Sequence, residues 1–183
     1  MFQIKVKVTD GGKMPTKGSE DAAAYDLYVS KDTEIVYGRQ IAPTGLFMEM
    51  PRKWSADIRP RSGFSVKGME VYIRTEYENS EDGAFFVEEK ANIDADVMLG
   101  LIDSDYRGEV GVMIKCQQHD IYAQWNKYQN KNRVKSNRYI LKAGTRVAQL
   151  KVNAPTLDYE LVQVDELDYT HDRGGGYGHT GTE

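Results

Sequence analysis

Short apolar or alternating runs, each closed within a few residues by Gly, Pro, Asn or Asp, limit most what this chain can fold into. They are FQIKVKV from Phe2, TEIVYG from Thr33, LFMEM from Leu46, WSADIRP from Trp54, GEVGVMIKC from Gly108, RYILKAG from Arg138, VAQLKV from Val147 and YELVQV from Tyr159. Side chains alternate across a strand, so such runs bury one face and wet the other. Long helical periodicity is absent; only Asp120 to Tyr128 has the pattern of a short helix. Many short strands with closely spaced turns predict an all-β sandwich, jelly roll or barrel. With 183 residues, the chain is long enough to bury a core without disulfides or a metal.

Composition removes several classes of function. The single cysteine, Cys116, rules out an internal disulfide framework and suits a reducing cytoplasm. No apolar run approaches the roughly 20 residues of a membrane helix, and the N-terminus reads as a strand rather than a signal peptide. A net charge of −4 argues against a nucleic-acid-binding surface, which normally carries a basic excess. The expectation is a soluble cytoplasmic protein.

Two segments stand out by charge. Residues 74–96 are acidic, with Glu76, Glu78, Glu81, Asp82, Glu88, Glu89, Asp94 and Asp96. Residues 117–138 are amide-rich and basic, with Lys127, Lys131, Arg133, Lys135 and Arg138. Both read as loop or hairpin insertions, either solvated or paired with each other by charge, and both leave room for a protein partner. The glycine-rich end, HDRGGGYGHTGTE, changes character again: residues 171–183 are expected to form a flexible arm beyond a β domain of residues 1–170. In it Arg173 has the chemistry to clamp an anion and Tyr177 that to cover a flat base.

Candidate chemistries thin out quickly. DSDYRG places Asp103, Asp105 and Gly108 like the first, third and sixth positions of a calcium loop, but Arg107 and Ile114 occupy ligand positions and defeat it. His119, His171, His179 and Cys116 lack the close spacings of a zinc site, and no P-loop lysine follows the terminal glycines. RPRSG is more informative. An arginine fork, a hydroxyl and an exposed backbone at Arg61, Ser62 and Gly63 suit phosphate oxygens, although an ordinary strand-ending turn would read the same.

In order, the chain carries AAYDLYV from Ala23, RSG from Arg61, GLIDSDYRGE from Gly100, GTRVAQL from Gly144 and RGGGYGHTG from Arg173. This series resembles the five motifs of the homotrimeric dUTPases, in the family's order and across nearly the whole chain. The resemblance implies a distorted jelly-roll, β-clip-like domain, assembled as a trimer with shared active sites, that hydrolyses dUTP to dUMP and pyrophosphate with Mg²⁺. It implies that Asp103 is the base that activates water and that Tyr106 packs on the deoxyribose. Arg61, Ser62, Gly63 and Gln149 would bind phosphate, Arg173 would reach the γ-phosphate, and Tyr177 would stack on uracil. Leu101 and Ile102 complete the substrate-binding set, and Asp26 would meet the Mg²⁺ through water. Asp105, Arg107 and Glu109 read as structural. Departures are Ala24 for a usual Gly, Tyr177 for Phe, a tail one residue shorter before the ring, and Val97 where an asparagine normally reads the base, with Asn92 as a substitute candidate. The alternatives are a trimeric jelly-roll protein that binds or regulates without catalysis, and the related dCTP deaminase.

Overall fold

A computed structural model describes residues 3–9, 11–79, 83–118 and 133–155. Among them the chain forms fourteen strands and one short helix, an all-β, jelly-roll-like fold. The central sheet has five strands in the order β11–β7–β14–β3–β2: Gly100–Asp103, Ser55–Arg59, Arg146–Asn153, Tyr25–Tyr28 and Thr16–Lys17. A three-stranded sheet, β10–β12–β5, joins Ala95–Val97, Val112–Cys116 and Gly38–Ala42. β1 (Lys5–Val8) pairs with β6 (Leu46–Glu49), and β4 (Thr33–Ile35), β13 (Arg133–Leu141), β8 (Met69–Asn79) and β9 (Gly83–Ile93) form the fourth sheet. Every pairing among them is antiparallel.

The alternation explains the core. In β12, Val112, Ile114 and Cys116 are buried while Met113 and Lys115 face out. With Leu27, Leu46, Ala148 and Leu150 they form one apolar cluster between the sheets. Removing that much apolar surface from water is the main driving force for the fold. Desolvation holds the Cys116 thiol above its ordinary range. No helix of the described residues is long and apolar enough to cross a membrane.

Three expectations are corrected or refined here. Of loop and hairpin, the acidic segment takes the hairpin form: β8 and β9 are eleven-residue antiparallel partners whose register runs from Met69↔Ile93 to Asn79↔Gly83. Val71 and Thr75 are buried on one face while Tyr72, Arg74 and Glu76 occupy the other, so the charges belong to a wet strand face. The basic segment ends earlier than 138, because β13 begins at Arg133 and pairs Arg138 with Arg74 in register beside β8. Arg138 donates to Glu76, one charge pair between the two segments, while Lys127 and Lys131 lie outside the described residues. The third difference is the helix α1, Ser62–Lys67, where only a turn was expected. It is six residues long, anchored by the buried Phe64 and stopped by Gly68 at φ 80. A Cβ at Gly68 would lie 2.7 Å from the Ile93 carbonyl oxygen, so glycine is required there. The short helix expected at residues 120–128 and the run at 159–164 lie outside the described residues.

Candidate active site

Four motif residues converge at one end of the central sheet. Asp26 on β3 stands opposite Gln149 on β14, which stands opposite Arg59 on β7. Pro60 ends that strand, and Arg61 follows as the residue before α1. Asp26 is 6% exposed, and its carboxylate faces two guanidinium groups. Arg61 Nε lies 3.6 Å from Oδ1, an ion-pair distance, and Arg146 Nη1 donates to Oδ2 at 3.3 Å. Arg61 Nη1 also donates to the Arg146 carbonyl at 3.0 Å. The Phe64 and Ser65 amides both donate to the Arg61 carbonyl, so the first turn of α1 fixes the main chain beneath the fork. Ser62 and Gly63 are exposed beside it. This is a cationic, partly buried corner with an amide on its flank, suited to phosphate oxygens.

The third motif lies elsewhere. β11 pairs with β7 in the register Asp103↔Ser55, whereas Arg59 is at the other end of β7. Four residues of strand separate these rows by roughly 13 Å, and two strand spacings between β11 and β14 add roughly 10 Å sideways. Asp103 is exposed at the strand end and Ile102 behind it is buried at 5%. The loop beyond is tied down locally. Tyr106 N donates to the Asp103 carbonyl at 3.1 Å, the Tyr106 hydroxyl donates to the Glu109 carbonyl at 3.1 Å, and Arg107 Nη1 donates to the Ser104 carbonyl at 2.7 Å. Glu109 Oε1 accepts the Thr44 and Gly45 amides at 3.1 and 2.8 Å. Arg107 and Glu109 are therefore structural here. Tyr106 presents an exposed ring, and Leu101 lines a cleft of about 340 Å³ with Asp57, Arg59 and Leu99.

The structure thus brings together Asp26, Arg61 and Gln149, adds Arg146, and holds Asp103 and Tyr106 apart from them. Arg146 was visible in GTRVAQL but received no role. Its use depends on a bulge, and nothing in that run of residues marks one. Arg173 and Tyr177 lie outside the described residues. Ala24 does not need glycine's freedom, since Lys53 is the only described non-glycine with positive φ. Val97 is buried on β10 opposite Ile114; Asn92 is exposed on β9 opposite Glu70, beside the end of α1. A larger apolar cleft of about 470 Å³, lined by Ile4, Met48, Trp54 and Leu150 among others, contains none of the motif charges.

The magnesium expectation can be set against the donor atoms. No group of three or more His, Cys, Asp or Glu among the described residues could hold a metal ion. Both Asp26 oxygens face guanidinium groups, which disfavours a cation in the same place.

Comparison with known proteins agrees with the motif order. A family model described as dUTPase matches residues 10–79. The deoxyuridine 5'-triphosphate nucleotidohydrolase of Syntrophotalea carbinolica is 30% identical over 182 residues, covering 97% of this chain and 96% of that protein. In fold, the chain is similar to a variant dUTPase of Staphylococcus bacteriophage 80alpha bound to dUpNHpp, at TM-score 0.62 and 21% identity, covering 98% of this chain and 99% of that one. It is also similar to a variant dUTPase of phage phi11 of S. aureus that coordinates a structural Mg(II) ion, at TM-score 0.61 and 19% identity, covering 91% and 99%. With a relative matched end to end at that identity, and the motif residues standing where they do, the chain belongs to the dUTPase family.

Proposed function

We propose that this chain hydrolyses dUTP to dUMP and pyrophosphate in an active site completed by a second copy of itself. The observation that carries the reading is the separation across β7: the phosphate-binding corner at Arg61 and Gln149 stands at one end, and the carboxylate of Asp103 at the other. A reacting phosphorus must lie within about 3–3.5 Å of its attacking water, and a general base within hydrogen-bond reach of that water. One chain cannot meet both conditions over that span. A neighbouring subunit that brings its Asp103 to this chain's Arg61 can.

Exposed apolar side chains support the assembly. Ile41 on β5 and Met113 on β12 stand opposite each other on the outer face of their sheet, and Leu99 and Leu101 are 71% and 66% exposed. A face of this composition is stabilised by cover, and three copies around an axis give closed symmetry. We assign residues 171–183 to an arm over the site, Arg173 to the γ-phosphate and Tyr177 to the base. The work is placed in the cytoplasm, which suits the free, buried thiol of Cys116.

Chemistry then follows from the residues. Asp103 takes a proton from water, whose oxygen attacks the α-phosphorus; the bond to the bridging oxygen breaks, and pyrophosphate leaves. Ile102, buried behind Asp103, limits how far the carboxylate can wander. Arg61, with Ser62 and Gly63 at the start of α1, and Gln149 hold phosphate oxygens, while Tyr106 packs on the sugar and leaves no space for a 2′-hydroxyl. Magnesium bound to the triphosphate would supply charge neutralisation of the phosphate oxygens.

The test is pyrophosphate and ammonia release from dUTP, dCTP, dTTP and UTP by the wild-type chain and by Asp103→Asn. Pyrophosphate from dUTP alone is expected, with Asp103→Asn slower by about 10²–10⁴-fold and nucleotide binding retained. Ammonia from dCTP, or undiminished turnover in Asp103→Asn, would overturn the assignment.

A further inference from the structure

Arg146 is placed where an unbroken strand would not put it. Residues 146 and 149 are an odd number apart and belong on opposite faces of a regular strand. In β14, however, Gln149 pairs with Asp26, Ala148 with Leu27, and Arg146, not Val147, with Tyr28. The register shift leaves Val147 as the extra residue of a bulge and returns Arg146 to the face shared by Gln149 and Asp26. Bulges often re-aim a side chain in this way next to functional sites. The result is the hydrogen bond from Arg146 Nη1 to Asp26 Oδ2 at 3.3 Å.

Arg61 is consequently held at three points. Asp26 Oδ1 faces its Nε at 3.6 Å, the Arg146 carbonyl accepts from Nη1 at 3.0 Å, and the Phe64 ring lies under the guanidinium at 5.4 Å. None of these contacts uses Nη2. A long side chain fixed in this manner loses less freedom when phosphate arrives. Asp26 can serve as a post only while it is held still, and its side chain is 8% exposed. A carboxylate so buried is costly unless its charge is matched, and Arg146 supplies the second cation.

We propose that Arg146 is a positioning residue for phosphate binding: through Asp26 it holds the Arg61 fork in its binding orientation, and it is not itself a phosphate ligand. The inference rests on the nucleotide-hydrolase reading and gives Asp26 a role other than meeting magnesium through water.

A double-mutant cycle on the full-length assembled protein tests it, with the Kd for dUpNHpp and the KM and kcat for dUTP measured in the same preparations. Arg146→Gln should raise Kd and KM about tenfold in the wild-type background and change them less than about twofold in an Arg61→Gln background, because it acts through the group already removed. Arg146→Lys keeps a cation beside Asp26 and should recover Kd to within about threefold of wild type. Should Arg146→Gln fail to assemble, Asp26→Asn takes its place in the same cycle, with the same expectation. Equal losses in both backgrounds would make the removed group an independent ligand or a purely structural one, and would overturn the proposal, as would no loss in either. Wild-type protein that binds dUpNHpp without turning over dUTP would refute the hydrolase reading while leaving the binding cycle interpretable.

Discussion

Glu109 shows how a charged residue in a catalytic motif can serve the fold. One carboxylate oxygen takes the amides of Thr44 and Gly45, both buried, and the Val110 amide donates to the Leu46 carbonyl next to it. The loop carrying Tyr106 is thereby clamped to the strand before it closes. Glu109→Ala should cost about 1–3 kcal/mol, because two N–H groups lose their acceptor away from water. Glu109→Gln keeps an acceptor and should recover most of that in chemical denaturation. Equal stability of the two variants would remove the clamp. This role was legible in part: Asp105, Arg107 and Glu109 read as structural, in hydrogen-bond and ion-pair networks. Arg146 was not legible, because its face depends on a one-residue slip that leaves no mark in the alternation of TRVAQL.

Among elements, the four-stranded sheet depends most on charge. On its outer face Lys142 Nζ reaches Glu88 at 2.7 Å and Asp32 at 3.2 Å, and Arg74 Nη2 reaches Glu88 at 2.6 Å. The Lys142 and Glu88 side chains are 26% and 21% exposed, so screening by salt is partial. Hydrogen bonds from Lys142 and then Arg74 hold the Glu88 carboxyl below its ordinary range; the Ala143 amide does the same for Asp32, against some burial. Lys142 is raised, chiefly by Glu88. Carboxyls depressed in the folded state add stability that is present above about pH 5 and lost as pH falls through their folded values; a raised lysine adds stability that is present below about pH 10 and lost above its folded value. Lys142→Met should therefore lower stability by about 1 kcal/mol between those limits and flatten the loss on the acid side. Thermal melts from pH 3 to pH 8 at low and high salt test this; parallel curves for variant and wild type would discard it. The same face explains what the sequence concealed. β8 and β9 alternate well enough to be strands, but summed charge made them look like an excursion. The helix α1 has only one buried anchor, Phe64, too little periodicity to be seen. Strands such as β7, β12 and β14 were legible because their buried faces are almost purely apolar.

For the whole molecule, the separation of Arg61 from Asp103 makes a prediction no single-chain site would share. Chains carrying Arg61→Gln and chains carrying Asp103→Asn should each turn over dUTP far more slowly than wild type, yet mixed assemblies refolded together should recover about a quarter of wild-type turnover, the share of random neighbour pairs that supply both intact groups. No recovery would place the complete site within one chain. The fold class and motif order were legible from sequence because strand alternation and motif chemistry are local. Which motifs meet was not, because that depends on the register of β7 against β11 and β14.

With the site shared between subunits as proposed, that register would also tie turnover to how much protein is present. A lone polypeptide would carry both halves of the machinery, intact and useless to each other. Dilution past the point where neighbours part would therefore depress the rate per molecule without unfolding anything.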